Sequence, residues 1–162
     1  MLEPGICPGL YFFCCLLLTQ GWQQPGGMDW PLRPFETERI VTIKGSCHCG
    51  NTQFEVSEAP KDVTRCTCSY CSKSGSLWAY YKPEQFRLAS PPENVATYRW
   101  GSKTVKHHFC ANCGCTTFSE SPDWSTGKPD FEKMKIGVNA WLFDDFDPNA
   151  YPLTVIDGKN LW

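Results

Sequence analysis

The chain has 162 residues, of which 41% are hydrophobic and 14% aromatic, so it is long and apolar enough to form one compact domain with an ordinary core. That composition excludes a disordered protein. The net charge of −2 excludes a strongly basic protein held to nucleic acid or anionic lipid by its overall charge.

The first 37 residues differ from the rest of the chain. They contain an apolar run from Cys7 to Leu18, but the first basic residue is Arg33, so the positively charged start of a signal peptide is absent. The run is too short to span a bilayer, and export would oxidise the clustered thiols that follow. We therefore predict a peripheral, poorly ordered arm over residues 1–37, a domain over residues 38–162, and a cytoplasmic protein without stable membrane insertion. Weak membrane association of the arm is the alternative.

From residue 39 onward the sequence alternates with the period of two that is typical of half-buried strands. Runs of β-branched and aromatic residues are separated by turn residues such as Pro83-Glu84, and no segment has clear helical periodicity. We predict a mainly β domain with strands at 39–44, 52–56, 77–81, 86–88, 95–100, 104–109, 116–118, 133–138 and 153–156, and with 63–65 leading into a cysteine loop. Alternation also predicts that one of His107 and His108 is packed and the other exposed.

Seven cysteines form three closely spaced groups: Cys47-His48-Cys49-Gly50, Cys66-Thr67-Cys68-Ser69-Tyr70-Cys71 and Cys110-Ala111-Asn112-Cys113-Gly114. The first and last groups resemble zinc knuckles and together supply the four thiolates of a closed tetrahedral site. The middle group supplies three, and three ligands with an open fourth position are typical of a site that binds water, hydroxide or substrate. In one alternative Cys115 completes the second site, so that both sites are structural. In another the cysteines form disulfides, which the lack of a secretory context disfavours.

Charge is unevenly distributed along the chain. Residues 61–106 contain eight basic and three acidic residues, whereas the segments on either side are acidic. Because the basic segment contains the three-cysteine group, the pattern favours an anionic ligand there. Ordinary solvated lysines are the alternative explanation.

These motifs resemble those of the glutathione-dependent formaldehyde-activating enzyme family, which also includes centromere protein V-like domains. The resemblance covers residues 39–162 and is carried by the three cysteine groups, with their flanks Gly45-Ser46, Ser72-Lys73 and Phe109, and by the closing Ile156-Asp157-Gly158-Lys159-Asn160-Leu161. It implies a β-tent fold, in which two small antiparallel sheets are held together by zinc. It also implies a structural zinc ion at Cys47, Cys49, Cys110 and Cys113, and a labile one at Cys66, Cys68 and Cys71 that accepts a thiol. The amino-terminal arm and Cys115 fall outside the family pattern.

The resemblance further implies a carbon–sulfur lyase that joins glutathione, or another small thiol, to formaldehyde or a related aldehyde. Zinc lowers the pKa of a bound thiol enough for the thiolate to persist at neutral pH, which makes Cys66, Cys68 and Cys71 the candidate catalytic set. Arg65 and Lys73 lie on either side of that set and are the candidate contacts for a carboxylate of glutathione. The expected product is S-hydroxymethylglutathione.

The main alternative is a non-catalytic module that zinc stabilises and that binds a protein or a nucleic acid. Such a module requires both zinc sites for folding only. The net negative charge of the chain argues against binding of a nucleic acid, because such binding depends on basic side chains that face the phosphates.

Overall fold

The computed structural model of the protein describes residues 42–161. The arm predicted over residues 1–37 lies outside this range and stays a prediction, and so does the start of the strand predicted at 39–44. Within the range no helix is long and apolar enough to cross a membrane.

The predicted mainly β class is confirmed. In chain order the strands are β1 (Ile43–Ser46), β2 (Gln53–Val56), β3 (Val63–Cys66), β4 (Trp78–Tyr81), β5 (Phe86–Leu88), β6 (Val95–Tyr98), β7 (Lys106–Cys110), β8 (Thr116–Asp123), β9 (Asp130–Asn139) and β10 (Leu153–Ile156). Two short α-helices, α1 (Ser69–Ser74) and α2 (Gly158–Leu161), follow β3 and β10. Single 3-10 turns occupy Pro83–Gln85, Pro92–Asn94, Ala140–Leu142 and Pro148–Ala150.

The first sheet has three antiparallel strands in the order β1-β2-β5. Alternation places Phe54 and Val56 of β2 on one face, where both are fully buried. Gly45 lies against them in β1, and a Cβ there would come within 2.5 Å of the Phe54 ring. The turn between β1 and β2 contains the first cysteine pair, so this sheet presents that pair at its end.

The second sheet has seven strands in the order β10-β3-β4-β9-β8-β7-β6. Its strands pair antiparallel except at one edge, where β10 pairs in parallel with β3. Parallel neighbours need a long crossover connection, and six strands of the fold supply it between Cys66 and Leu153. Backbone bonds from Val63 N to the Pro152 oxygen (2.9 Å) and from Thr67 N to the Ile156 oxygen (3.0 Å) continue the pairing at both ends.

The hydrophobic core lies between the two sheets. The rings of Phe54, Phe86 and Phe118 pack in succession across it, with Phe54 and Phe86 centroids 6.0 Å apart and Phe86 and Phe118 centroids 4.8 Å apart. Val138 of β9 and Ala79 of β4 complete this layer. Residues that alternate with the core residues, such as Trp78, face the other side of the large sheet, where α1 packs.

Both histidines of β7 are buried, so the expectation that one would be exposed was wrong. The Tyr70 ring of α1 stacks on His107 with centroids 3.9 Å apart, and burial lowers the pKa of His107 to about 4. On the opposite face, His108 stacks on Phe118 and its Nε2 lies 3.0 Å from Oε1 of Glu120. The strand is therefore covered on both faces, which alternation alone does not reveal.

Candidate metal centres

The structure brings the first and last cysteine groups together. The sulfur atoms of Cys47, Cys49, Cys110 and Cys113 all lie within 4.8 Å of one another. The Cys49 Sγ lies 3.6 Å from Cys47 Sγ and 3.7 Å from Cys110 Sγ. One pair comes from the β1–β2 turn and the other from the β7–β8 turn, so this four-thiol cluster joins the small sheet to the large one.

Each turn of the four-thiol cluster is shaped by a glycine and by N–H groups that face sulfur. Gly50 and Gly114 have φ values of 74° and 75°, which a residue with a Cβ rarely adopts. The backbone N–H of Thr52 donates to Cys47 Sγ at 3.2 Å, and the Asn112 side-chain amide donates to Cys49 Sγ at 3.3 Å. Hydrogen bonds of this kind hold a metal-binding sulfur atom in one orientation.

The three middle cysteines form a second cluster, in which Cys66, Cys68 and Cys71 are all buried and their sulfur atoms lie within 4.8 Å of one another. Cys66 ends β3, and Cys68 is the N-cap of α1, where its sulfur accepts the Cys71 N–H at 3.5 Å. The indole Nε1 of Trp78 donates to Cys71 Sγ at 3.3 Å. The helix has only six residues, which explains why no helical period is visible in the sequence.

The thiols of the three-thiol cluster do not share charge equally. A hydrogen bond from Cys71 lowers the pKa of Cys66 to about 6, against the effect of burial. The same bond raises the pKa of Cys71, because that thiol keeps the shared proton. Of these two thiols, Cys66 is therefore the one that loses its proton more readily.

Gly158, which lies in the closing motif of the sequence, also contributes to the three-thiol cluster. A Cβ at this position would lie 2.6 Å from Cys66 Sγ and 3.0 Å from Cys68 Cβ, so only glycine fits. Thr67 holds this segment against the cluster, because its hydroxyl donates to Asp157 Oδ1 at 3.2 Å and accepts the Lys159 N–H at 3.2 Å. In the sequence, the Asp157-Gly158 pair of the closing motif is the feature from which this contact could have been suspected.

We expect Gly158→Ala to weaken metal binding at the three-thiol cluster by about tenfold or more, because the added methyl group must displace Cys66 or Cys68. A Zn²⁺ competition titration with a coloured chelator measures the affinity. Lys159→Ala is the matched control, since Lys159 is exposed on the same short helix. Equal zinc affinities in the two variants would show that the close approach of Gly158 to Cys66 does not constrain the cluster.

Cys115 belongs to neither cluster. It lies beside the four-thiol cluster, where its carbonyl accepts the Cys110 N–H at 2.9 Å. A backbone hydrogen bond from His48 favours its thiolate, but burial and the adjacent Cys113 thiol outweigh this and raise the pKa of Cys115. The structure therefore does not bring Cys115 to the three-thiol cluster as a fourth ligand.

A cavity of about 570 Å³ opens beside the three-thiol cluster, and Cys66 and Cys71 are part of its lining. Arg65 also lines the cavity, whereas Lys73 does not. Lys73 is two residues beyond Cys71, which is about 200° around a helix, so it faces away from the sulfur atoms. Of the two predicted anion contacts, the structure places only Arg65 beside the thiols.

The chain is similar to known proteins in both sequence and fold. A model of the glutathione-dependent formaldehyde-activating enzyme family matches residues 42–153, which include both cysteine clusters. A crystal structure of a Rhodobacter sphaeroides protein is 31% identical to this chain, and the match covers 68% of this chain and 99% of that one with a TM-score of 0.55.

Proposed function

The chain belongs to the glutathione-dependent formaldehyde-activating enzyme family, and from this premise we propose that it is a zinc-dependent carbon–sulfur lyase acting on glutathione and formaldehyde or a related aldehyde. In the direction of synthesis, the glutathione sulfur bonds to the aldehyde carbon and the thiol proton passes to the carbonyl oxygen. With formaldehyde the product is S-hydroxymethylglutathione. The observation that carries the proposal is the set of three buried thiols that opens on a cavity containing an arginine.

The sulfur geometry supports zinc as the metal. A Zn–S distance of about 2.3 Å places the sulfur atoms of a tetrahedral site about 3.8 Å apart. The sulfur–sulfur separations of 3.6 and 3.7 Å in the four-thiol cluster are close to that value. We propose that this cluster holds a structural zinc ion, and that the three-thiol cluster holds a labile one with a position for substrate. When bound there, zinc lowers the pKa of a substrate thiol towards neutrality.

The residues around the three-thiol cluster have separate tasks in this proposal. Cys66, Cys68 and Cys71 hold the metal, and the Trp78 N–H fixes the orientation of Cys71. The Arg65 guanidinium binds a glutathione carboxylate and offsets the negative charge of the thiolates. The unpaired thiols of the described residues and the use of reduced glutathione favour the cytoplasm as the site of action.

We expect the zinc-loaded protein to accelerate the interconversion of glutathione, formaldehyde and their adduct, which exchange NMR measures directly. Arg65→Gln should lower kcat/KM by about tenfold, mainly through KM, because a charge-assisted contact to substrate is lost. Lys73→Gln is the matched control and should stay within about twofold. It removes a charge from a neighbouring position that does not line the cavity.

Two results would count against this function. An exchange rate equal to that of the uncatalysed mixture at every protein concentration would remove the enzyme assignment. Equal effects of the Arg65 and Lys73 variants would show that only the general positive charge of this segment matters.

A further inference from the structure

The cavity beside the three-thiol cluster has an apolar wall as well as a polar one. Trp141, Tyr151 and Leu153 line it together with Cys66, Cys71 and Arg65. Trp141 and Leu153 are 52% and 51% exposed, so apolar surface faces solvent next to the thiols. Isolated exposed apolar residues are ordinary, but a group of them lining a cavity with reactive side chains indicates an apolar ligand group.

Phe146 packs against this wall without lining the cavity itself. Its ring meets Trp141 edge-on at 5.8 Å and stacks on Tyr151 at 5.5 Å with only 11° between the ring planes. Phe146 in turn contacts Phe143 of the core at 6.2 Å. The wall is therefore anchored to the hydrophobic core and needs little rearrangement to receive a ligand.

Formaldehyde does not need such a wall. It is little larger than a water molecule, whose share of liquid volume is about 30 Å³. Glutathione is mostly polar, with two carboxylates and an ammonium group, and Arg65 is the charged side chain that the described residues contribute to the cavity lining. Neither formaldehyde nor glutathione explains why an aromatic surface that packs against the hydrophobic core lines this cavity.

We propose that the aldehyde substrate carries an apolar or aromatic group, and that this group packs against the Trp141–Tyr151–Leu153 wall. The proposal rests on the function proposed above and names its carbonyl substrate class. The thiol sulfur bonds to the aldehyde carbon, the carbon–oxygen π bond opens, and the thiol proton ends on the oxygen. The product is an S-(1-hydroxyalkyl)glutathione, and no electrons are gained or lost overall.

Two unreactive thioethers test the wall without any turnover. S-benzylglutathione should bind the zinc-loaded protein at least about tenfold more tightly than S-methylglutathione in calorimetric titrations, because the phenyl group leaves water. Trp141→Ala should reduce this difference to about twofold or less, mainly by weakening the binding of S-benzylglutathione. Trp124→Ala should keep the full difference, since Trp124 is similarly exposed at 41% and does not line the cavity.

A second variant keeps the inference testable if Trp141→Ala does not fold. Leu153→Asn should also lower the preference for the benzyl compound, and it should lower kcat/KM for phenylacetaldehyde more than for formaldehyde. If S-methylglutathione binds and formaldehyde reacts but the benzyl group adds no affinity, this inference is overturned and the proposed function stands. If neither thioether binds and no aldehyde reacts, both are overturned.

Discussion

Replacing Cys110 with serine is expected to leave the domain unfolded. Cys110 is fully buried, and the Cys113 N–H donates to its sulfur at 3.5 Å. The four-thiol cluster joins the two sheets that enclose the core, so loss of one ligand separates the sheets as well as releasing the metal. Structural zinc contributes about 10–16 kcal/mol in small zinc-finger peptides, which equals or exceeds the stability of a typical domain.

Circular dichroism and metal content of the purified protein measure this effect. Cys115→Ser is the matched control, because the same atom is exchanged at a neighbouring cysteine outside the cluster. That variant should fold and keep both metal ions. A Cys110→Ser protein that melts at the temperature of the unmutated chain would show that the four-thiol cluster is not structural.

Cys68→Ser is expected to have a large effect of another kind, namely a folded protein that keeps one zinc ion and no longer binds glutathione. The three-thiol cluster packs with Trp78 in a group of its own, separate from the main core. Serine is also a favoured N-cap residue, so its hydroxyl can accept the Cys71 N–H that Cys68 now accepts and α1 keeps its start. The substitution should therefore abolish glutathione binding while the protein stays folded.

Native mass spectrometry gives the number of zinc ions per chain, and calorimetry gives the glutathione affinity. The melting temperature should fall by only a few degrees, which corresponds to a decrease of about 1 kcal/mol in the free energy of unfolding. Cys115→Ser again serves as control and should bind glutathione normally. Retention of two zinc ions in the Cys68 variant would contradict the assignment of the second site, and so would global unfolding.

The cysteine pattern was enough to predict which thiols meet. Ligands two to five residues apart on tight turns have few ways to arrange themselves, so the spacing around Cys66 and Cys110 fixes the local geometry. The strand positions were predictable for a similar reason, since alternation is a local property. The hairpin of β8 and β9 extends beyond the predicted 116–118 and 133–138, because cross-strand pairing as far as Asp123 and Asp130 includes residues with little strand preference.

Features that depend on distant parts of the chain were not predictable. The direction of β10 follows from the whole arrangement of the large sheet, and no local pattern encodes it. Lys73 is close to the thiols in sequence, but it lies about half a helical turn beyond Cys71 and therefore faces away from the sulfur atoms. The wall formed by Trp141 and Tyr151 comes from turns that carry no periodic signal, and its position beside Cys66 depends on how those turns pack.

The contact between Gly158 and Cys66 also sets an order of events during synthesis. All four ligands of the cluster that joins the sheets have been made once Cys113 is added, whereas the support of the three-thiol loop requires β10 and Gly158, 45 residues later in the numbering. At 5–20 residues per second, this interval is roughly 2 to 9 s. A growing chain can therefore assemble its four-thiol cluster while the three-thiol cluster still lacks its neighbouring segment. The three-thiol cluster is therefore completed only after the four thiols that join the two sheets have all been made.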